Sequence, residues 1–143
     1  RGLKPLPLRM RQHSENALAV AEMLAAHPAV RIVRYPFLPG SAHYEIARKQ
    51  MSNGGGMLSF ELKTGYDGAL RMMDRLKLIA RAVSLGDAES LIMHPGALLQ
   101  ARRKLFPEAK LATGVTMDLM RLSVGLEDAE DLIDDLRQAL EGA

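Results

Sequence analysis

The chain has 143 residues, with 19 Lys+Arg against 17 Asp+Glu, 48% hydrophobic residues, 25% charged residues and no cysteine. That is the make-up of an ordinary folded domain; it excludes a disordered chain, and no apolar run is long enough for a membrane-spanning helix. The missing thiol excludes a disulfide framework, a thiolate zinc site and a cysteine nucleophile, and it suits a reducing compartment.

Residues 6–26 read as a helix, with Ala17, Leu18, Ala21, Leu24 and Ala25 recurring at three- and four-residue spacing on one apolar face. Pro5 and Pro7 fit only a first turn or a kink, and His27-Pro28 ends the helix because the residue before proline is pushed out of helical geometry. The chain opens on Arg1 rather than methionine and runs almost at once into this helix, so a piece of a longer protein is expected. Val30, Ile32 and Val33 make a short strand, residues 36–41 a turn-rich loop, and residues 42–50 a short helix. From Met57 to Leu62, alternation of Leu58, Phe60 and Leu62 with Met57, Ser59 and Glu61 has the period of a strand with one buried face.

Thr64 with Asp67 three residues on resembles a capping box, opening a helix that carries Leu70, Met73 and Leu76 inward. Residues 80–84 and 90–93 read as strands separated by a turn at Leu85-Gly86-Asp87. Residues 101–114 read as a basic loop with a helical turn near Pro107, residues 119–124 as a strand, and residues 128–141 as a helix. On that last helix Ala129, Leu132, Ile133, Leu136 and Leu140 share a face, and the acidic first turn suits the positive end of the helix dipole. About four strands and four helices in mixed order predict an α+β fold, with one mixed, largely antiparallel sheet and helices mainly on one side.

The charges are segregated: Arg1, Lys4, Arg9 and Arg11 crowd the start, and Glu127, Asp128, Glu130, Asp131, Asp134 and Asp135 the end. With aromatic residues at 4% and no tryptophan, base-stacking platforms are scarce, so these runs read as solvated helix faces and no nucleic-acid partner is expected. Gly54-Gly55-Gly56 lacks the Lys-Ser/Thr pair and the following helix of a phosphate loop, and reads as tight entry to a strand. His13, His27, His43 and His94 have no helical pairing and no carboxylate at ligand spacing; they read as surface or loop residues, and no metal site is expected. The nine methionines read as core packing.

Arg121 stands apart, because an arginine inside the apolar stretch Leu119-Met120-Arg121-Leu122-Ser123-Val124 needs a carboxylate partner or an exit to water. Such a guanidinium can grip a carboxylate ligand in two-pronged fashion, or serve a structural salt bridge.

The stretch Ala82-Val83-Ser84-Leu85-Gly86-Asp87-Ala88-Glu89-Ser90-Leu91, then His94-Pro95, then Arg121-Leu122-Ser123-Val124-Gly125-Leu126-Glu127-Asp128 resembles the C-terminal domain of the Cys/Met-metabolism family of pyridoxal-phosphate enzymes. Residues 6–11 and 50–62 are similar to that family's interdomain helix and first small-domain strands. The resemblance implies the small domain of a fold-type-I enzyme, with residues 1–26 as the interdomain helix and residues 27–143 as the substrate-carboxylate domain, apart from the large cofactor-binding domain. It implies a cytoplasmic homotetramer that uses pyridoxal 5′-phosphate for γ-elimination or γ-replacement on a sulfur-containing amino acid.

By the same resemblance Arg121 binds the substrate α-carboxylate, Ser84 helps to position it, and the backbone N–H of Leu85 supports it. Val83, apolar where cystathionine-cleaving members often carry an acid, matches the methionine γ-lyase pattern and suits an uncharged thioether. Two departures are visible. Residues 96–100 replace a polar Thr- and His-containing loop, and no lysine lies in the Ser-x-Thr-Lys context of the family's Schiff-base lysine. This chain alone is therefore expected to hold no catalytic and no cofactor-binding residue. The competing expectation is a free-standing, non-catalytic α+β module for a small carboxylate or a protein partner.

Overall fold

The first helix, α1 (Leu6–Ala26), starts where Pro7 can sit without losing a helical hydrogen bond and stops at His27, which turns extended before Pro28. In this computed structural model, which describes residues 1–105 and 115–143, α1 is followed by β1 (Val30–Arg34), α2 (Tyr44–Gln50), β2 (Met57–Leu62) and α3 (Gly65–Arg75). Then come β3 (Ala80–Arg81), β4 (Leu91–Met93), α4 (Pro95–Leu105), β5 (Leu119–Ser123) and α5 (Ala129–Leu140). The strands form one sheet in the order β1-β2-β5-β4-β3; only β3 and β4 run parallel, and the other pairs are antiparallel. The mixed, largely antiparallel α+β fold expected from the sequence is the one found.

Alternation along the strands sorts the two faces. Phe60 pairs with Met120 and Leu58 with Leu122, and Ile92 pairs with Leu122 from the other side. These residues build one core with Ala17, Val20, Ala21 and Leu24 of α1, Ala69 and Met72 of α3, and Leu132, Ile133, Leu136 and Leu140 of α5. Burying apolar side chains of this size stabilises by about 1.5–3 kcal/mol apiece. The opposite face carries Ser59, Arg121 and Met93, side by side on neighbouring strands.

Several expectations need correction. Residues 101–105 are not loop but the end of α4, whose Pro95 occupies a first-turn position that tolerates proline; the turn near Pro107 lies outside the described residues. The strand expected over residues 80–84 closes after Arg81, since residues 83–86 turn away to meet Arg121. Thr64 makes no capping hydrogen bond; its side chain folds over Gly68, where a Cβ would come within 2.4 Å of Thr64 Cβ.

The buried stripe of α3 is Gly68, Ala69 and Met72, one position out of phase with the expected face; Leu70, Met73 and Leu76 are half-buried. Gly68 is covered by the Thr64 side chain and Ala69 is fully buried, while Leu70 and Met73 wall a cavity of about 240 Å³ with Val83, Ile92 and His94. On α1, Leu18 is half-buried and Ala25 exposed. Of the methionines only Met72 and Met120 are fully buried, while Met51 and Met117 are exposed.

Candidate functional site

β5 is the central strand, and the inward turn of Met120 and Leu122 sends Arg121 to the open face. There Nη2 of Arg121 donates to Val83 O at 2.8 Å and to Ser84 O at 3.1 Å. Its Nε is buried and has no partner among the described residues. Three of the four residues singled out from the sequence thus meet, and Leu85 follows in the same turn. The side chains of this turn point outward, Val83 being 64% and Leu85 57% exposed, and Ser84 is exposed as well.

Backbone contacts hold the turn against the strand. Ser123 Oγ accepts from Gly86 N at 2.9 Å, and Gly86 takes a φ of +74°, the left-handed region that glycine enters without steric cost. Leu126 N donates to Ala88 O at 2.7 Å. Glu127 then takes Ser90 with both carboxylate oxygens, accepting from its N–H at 2.6 Å and its hydroxyl at 2.8 Å. A Cβ on Gly125 would come 2.3 Å from Ala88 O, so only glycine lets the two segments lie this close. The paired motifs of residues 82–91 and 121–128 are therefore two halves of one clasp.

The N-terminal half of α1 braces the clasp from behind. His13 Nδ1 donates to Val124 O at 2.7 Å, and Asn16 Nδ2 donates to Glu127 O at 2.8 Å and Gly125 O at 3.2 Å. Arg9 Nη2 lies 3.3 Å from Gly86 O. The expectation of surface or loop histidines fails at His13, which lies within α1 and is 2% exposed; His94 does sit in the connection between β4 and α4, buried, with its Nε2 bonded to Met117 O at 2.9 Å. His13, Asn16, Ser123 and Glu127 went unassigned from sequence. The signal was present, because His13 falls on the same helical stripe as Ala17, Val20 and Leu24.

The glycine run at residues 54–56 serves packing, as expected. A Cβ on Gly54 would lie 2.4 Å from Tyr35 Oη, and that hydroxyl donates to Gly55 O at 2.9 Å. Burial pushes the Tyr35 phenol up to about 12. The acidic C-terminal run is not merely a solvated face either. Asp135 is 6% exposed and accepts from the N–H groups of Lys77, Leu78 and Ile79 at 2.8, 3.0 and 2.9 Å. Asp128 caps α5 by accepting from Glu130 N. Glu61, also buried, is paired with Arg31 at 2.6 Å and Arg34 at 2.7 Å across β1 and β2, which offsets the cost of its charge.

Comparison with known proteins gives this geometry its setting. The model of the Cys/Met metabolism PLP-dependent enzyme family matches residues 1–141. The chain belongs to that family. An L-methionine gamma-lyase of Pseudomonas putida is 48% identical over all 143 residues, and a cystathionine gamma-synthase of Mycobacterium bovis is 49% identical over 98% of the chain. The chain spans about 35% of the length of these curated relatives. A solved structure from Campylobacter jejuni, assigned as an O-acetylhomoserine (thiol)-lyase and carrying N′-pyridoxyl-lysine-5′-monophosphate, superimposes with a TM-score of 0.82 at 39% identity. It covers 98% of this chain and 30% of that one. This Cys/Met-metabolism chain thus has a fold-type-I small-domain likeness along nearly its whole length.

Pyridoxal phosphate is the family's cofactor, and a lysine that carries it must be withdrawn from water so that its amine can be neutral. Lys4, Lys49, Lys63 and Lys77 are all exposed, and Lys63 donates to Pro28 O at 2.6 Å. These described lysines do not fit the cofactor. What the clasp offers instead is a guanidinium beside an exposed hydroxyl and turn.

Proposed function

We propose that this chain supplies the substrate-carboxylate site of a pyridoxal-phosphate-dependent lyase or transferase of sulfur amino-acid metabolism, working by γ-elimination or γ-replacement. In this reading residues 1–26 form the interdomain helix and residues 27–143 the substrate-side domain of a cytoplasmic homotetramer. The observation that carries it is Arg121 poised over the 83–84 carbonyls with its Nε buried and unpaired among the described residues. A substrate carboxylate set against this guanidinium gains charge-assisted bonds in a fork geometry that no lysine reproduces. Ser84 stands at hand as a hydroxyl donor, and the Leu85 N–H as a further one.

The cofactor supplies the electron sink, and this chain's residues hold and orient the amino acid. Val83, apolar and exposed beside the site, favours an uncharged thioether such as methionine, since a distal ammonium would find no partner on it. Overall identity does not separate the candidates, at 48% to the methionine lyase and 49% to the cystathionine synthase.

The test is Arg121→Ala in the cofactor-loaded enzyme. It is expected to raise KM and lower kcat/KM by two to three orders of magnitude, about 3–4 kcal/mol for a lost charge-assisted pair. Unchanged kcat/KM overturns the assignment. Alone, the 143-residue chain is expected to retain no cofactor absorbance after dialysis against free cofactor.

A further inference from the structure

Arg9, on α1, reaches the same 83–86 turn that Arg121 of β5 holds. Its Nη2 lies 3.3 Å from Gly86 O and its Nη1 3.3 Å from Gly2 O, while its Nε is buried without a partner among the described residues. The guanidinium is thus drawn in against the turn rather than lying free in water. One helical turn further on, His13 fixes α1 to Val124 O at the end of β5. The base from which Arg9 reaches is therefore tied to the strand that bears Arg121.

The turn has little else to define its position. Val83, Ser84 and Leu85 put no side chain into the core, and Gly86 sits at a φ of +74°. Its backbone is held by Arg121 at Val83 O and Ser84 O, by Ser123 Oγ at Gly86 N, and by Arg9 at Gly86 O. Arg121 and Ser123 both belong to β5; Arg9 supplies a hold from another element. The flanks of the turn are tied by Ala82 N to Ile92 O at 3.1 Å and by Leu126 N to Ala88 O at 2.7 Å, which leaves Arg9 as the hold on Gly86 O at its tip.

We propose that Arg9 is a positioning residue for the carboxylate site: by holding Gly86 O it sets where the Ser84 hydroxyl and the Leu85 N–H stand relative to the Arg121 guanidinium. The proposal rests on the carboxylate-site reading above. Arginine is the fitting residue, since its planar fork spans the Gly86 and Gly2 carbonyls together, where a lysine offers a single point of contact. A small displacement of the turn weakens the grip on the substrate carboxylate, a loss that falls on KM rather than on the chemical step.

The test uses Arg9→Gln and Arg9→Lys. In this chain, amide exchange by NMR is expected to quicken about tenfold at Gly86 in Arg9→Gln, because local opening of a loop governs its exchange. Val124 N–H, bonded to Gly56 O at 2.8 Å, serves as a control and keeps its rate. In the cofactor-loaded enzyme, Arg9→Gln is expected to raise KM for the amino acid about five- to tenfold with kcat changed less than about twofold and the cofactor spectrum unchanged. Arg9→Lys is expected to recover part of the loss. Unchanged Gly86 exchange in both variants overturns the positioning role, and quickened exchange with unchanged KM overturns its link to the site. Failure of the underlying reading shows separately, as an Arg121→Ala enzyme with unaltered kcat/KM whose Gly86 exchange still responds to Arg9.

Discussion

Ser90 and Glu127, 37 residues apart, are joined twice: Glu127 Oε1 accepts from Ser90 N at 2.6 Å and Oε2 from Ser90 Oγ at 2.8 Å. Ser90 Oγ in turn accepts from Gly125 N at 2.8 Å, so the three groups form a short polarised chain. This fastens the residue before β4 to the segment after β5, and with it the far end of the loop that carries Ser84.

Replacing Glu127 by alanine is therefore expected to cost about 2–3 kcal/mol in a urea titration, since a part-buried amide and hydroxyl lose a charged acceptor together. Glu127→Gln keeps one acceptor and is expected to lose about half as much. A shift below about 0.5 kcal/mol for the alanine variant would contradict the clasp.

Gly125 admits no side chain, because its Cβ would meet Ala88 O at 2.3 Å and Ser90 N at 2.6 Å, both backbone atoms. Gly125→Ala is expected to destabilise by about 2 kcal/mol or more through overpacking, and Gly2→Ala by less than about 0.5 kcal/mol. Equal melting temperatures for the two variants would remove the steric explanation for the glycine.

Asp135 predicts an acid limb of stability. Burial by itself raises its carboxyl pKa, but the N–H groups of Ile79, Lys77 and Leu78 and the Gln138 amide bond to the carboxylate, and the net result is a lowered value. A folded value below the unfolded one means that the contribution is complete above the unfolded pKa of about 4 and is lost as pH falls through the folded value. The stability gap between the parent and Asp135→Asn is expected to be about 2 kcal/mol at pH 7 and to shrink towards pH 3. A gap that does not change with pH would refute the linkage.

Tyr35 sets the opposite limb. With its phenol raised to about 12, the neutral form is favoured in the folded chain. Its stabilisation is therefore present below the ordinary value near 10 and is lost as pH rises from there through about 12. Melting temperature is expected to fall more steeply for the parent than for Tyr35→Phe above about pH 10. Parallel curves would show that the phenol does not titrate with unfolding.

Much of the architecture was legible in the sequence because local chemistry and tertiary packing agree there. His27-Pro28 stops α1, alternation marks β2, and the Leu132, Ile133, Leu136 and Leu140 stripe of α5 enters the core. Residues 101–105 were misread because their basic character suggested a loop, whereas proline at the first turn is compatible with a helix. The phase of α3 escapes the sequence because its large residues read as inward, whereas Ala69 and Met72 enter the core and Gly68 lies under Thr64.

That Arg121 and residues 83–84 belong together was legible, because an arginine in an apolar strand is conspicuous and the flanking motif is distinctive. Arg9, Asn16 and Glu127 were not, since each acts on main-chain groups of residues distant in the chain. Main-chain partners leave no pattern of complementary residue types. Asp135 likewise reads as part of a solvated face until the turn after α3 brings three N–H donors to it.

The position of β5 in the sheet has a consequence for biosynthesis. β2 and β4 do not pair with one another; each pairs with β5, which is made after both. During synthesis the strands of the β1–β2 and β3–β4 pairs are therefore complete before the strand that joins them, and each pair has an open edge until then. Residues 119–123 bridge the two pairs, and the same strand brings Arg121 to the 83–84 turn. A chain that stops before Leu119 lacks the strand that joins the two halves of the sheet and lacks Arg121 with it, so closure of the sheet and the Arg121 contact with residues 83–84 arrive together.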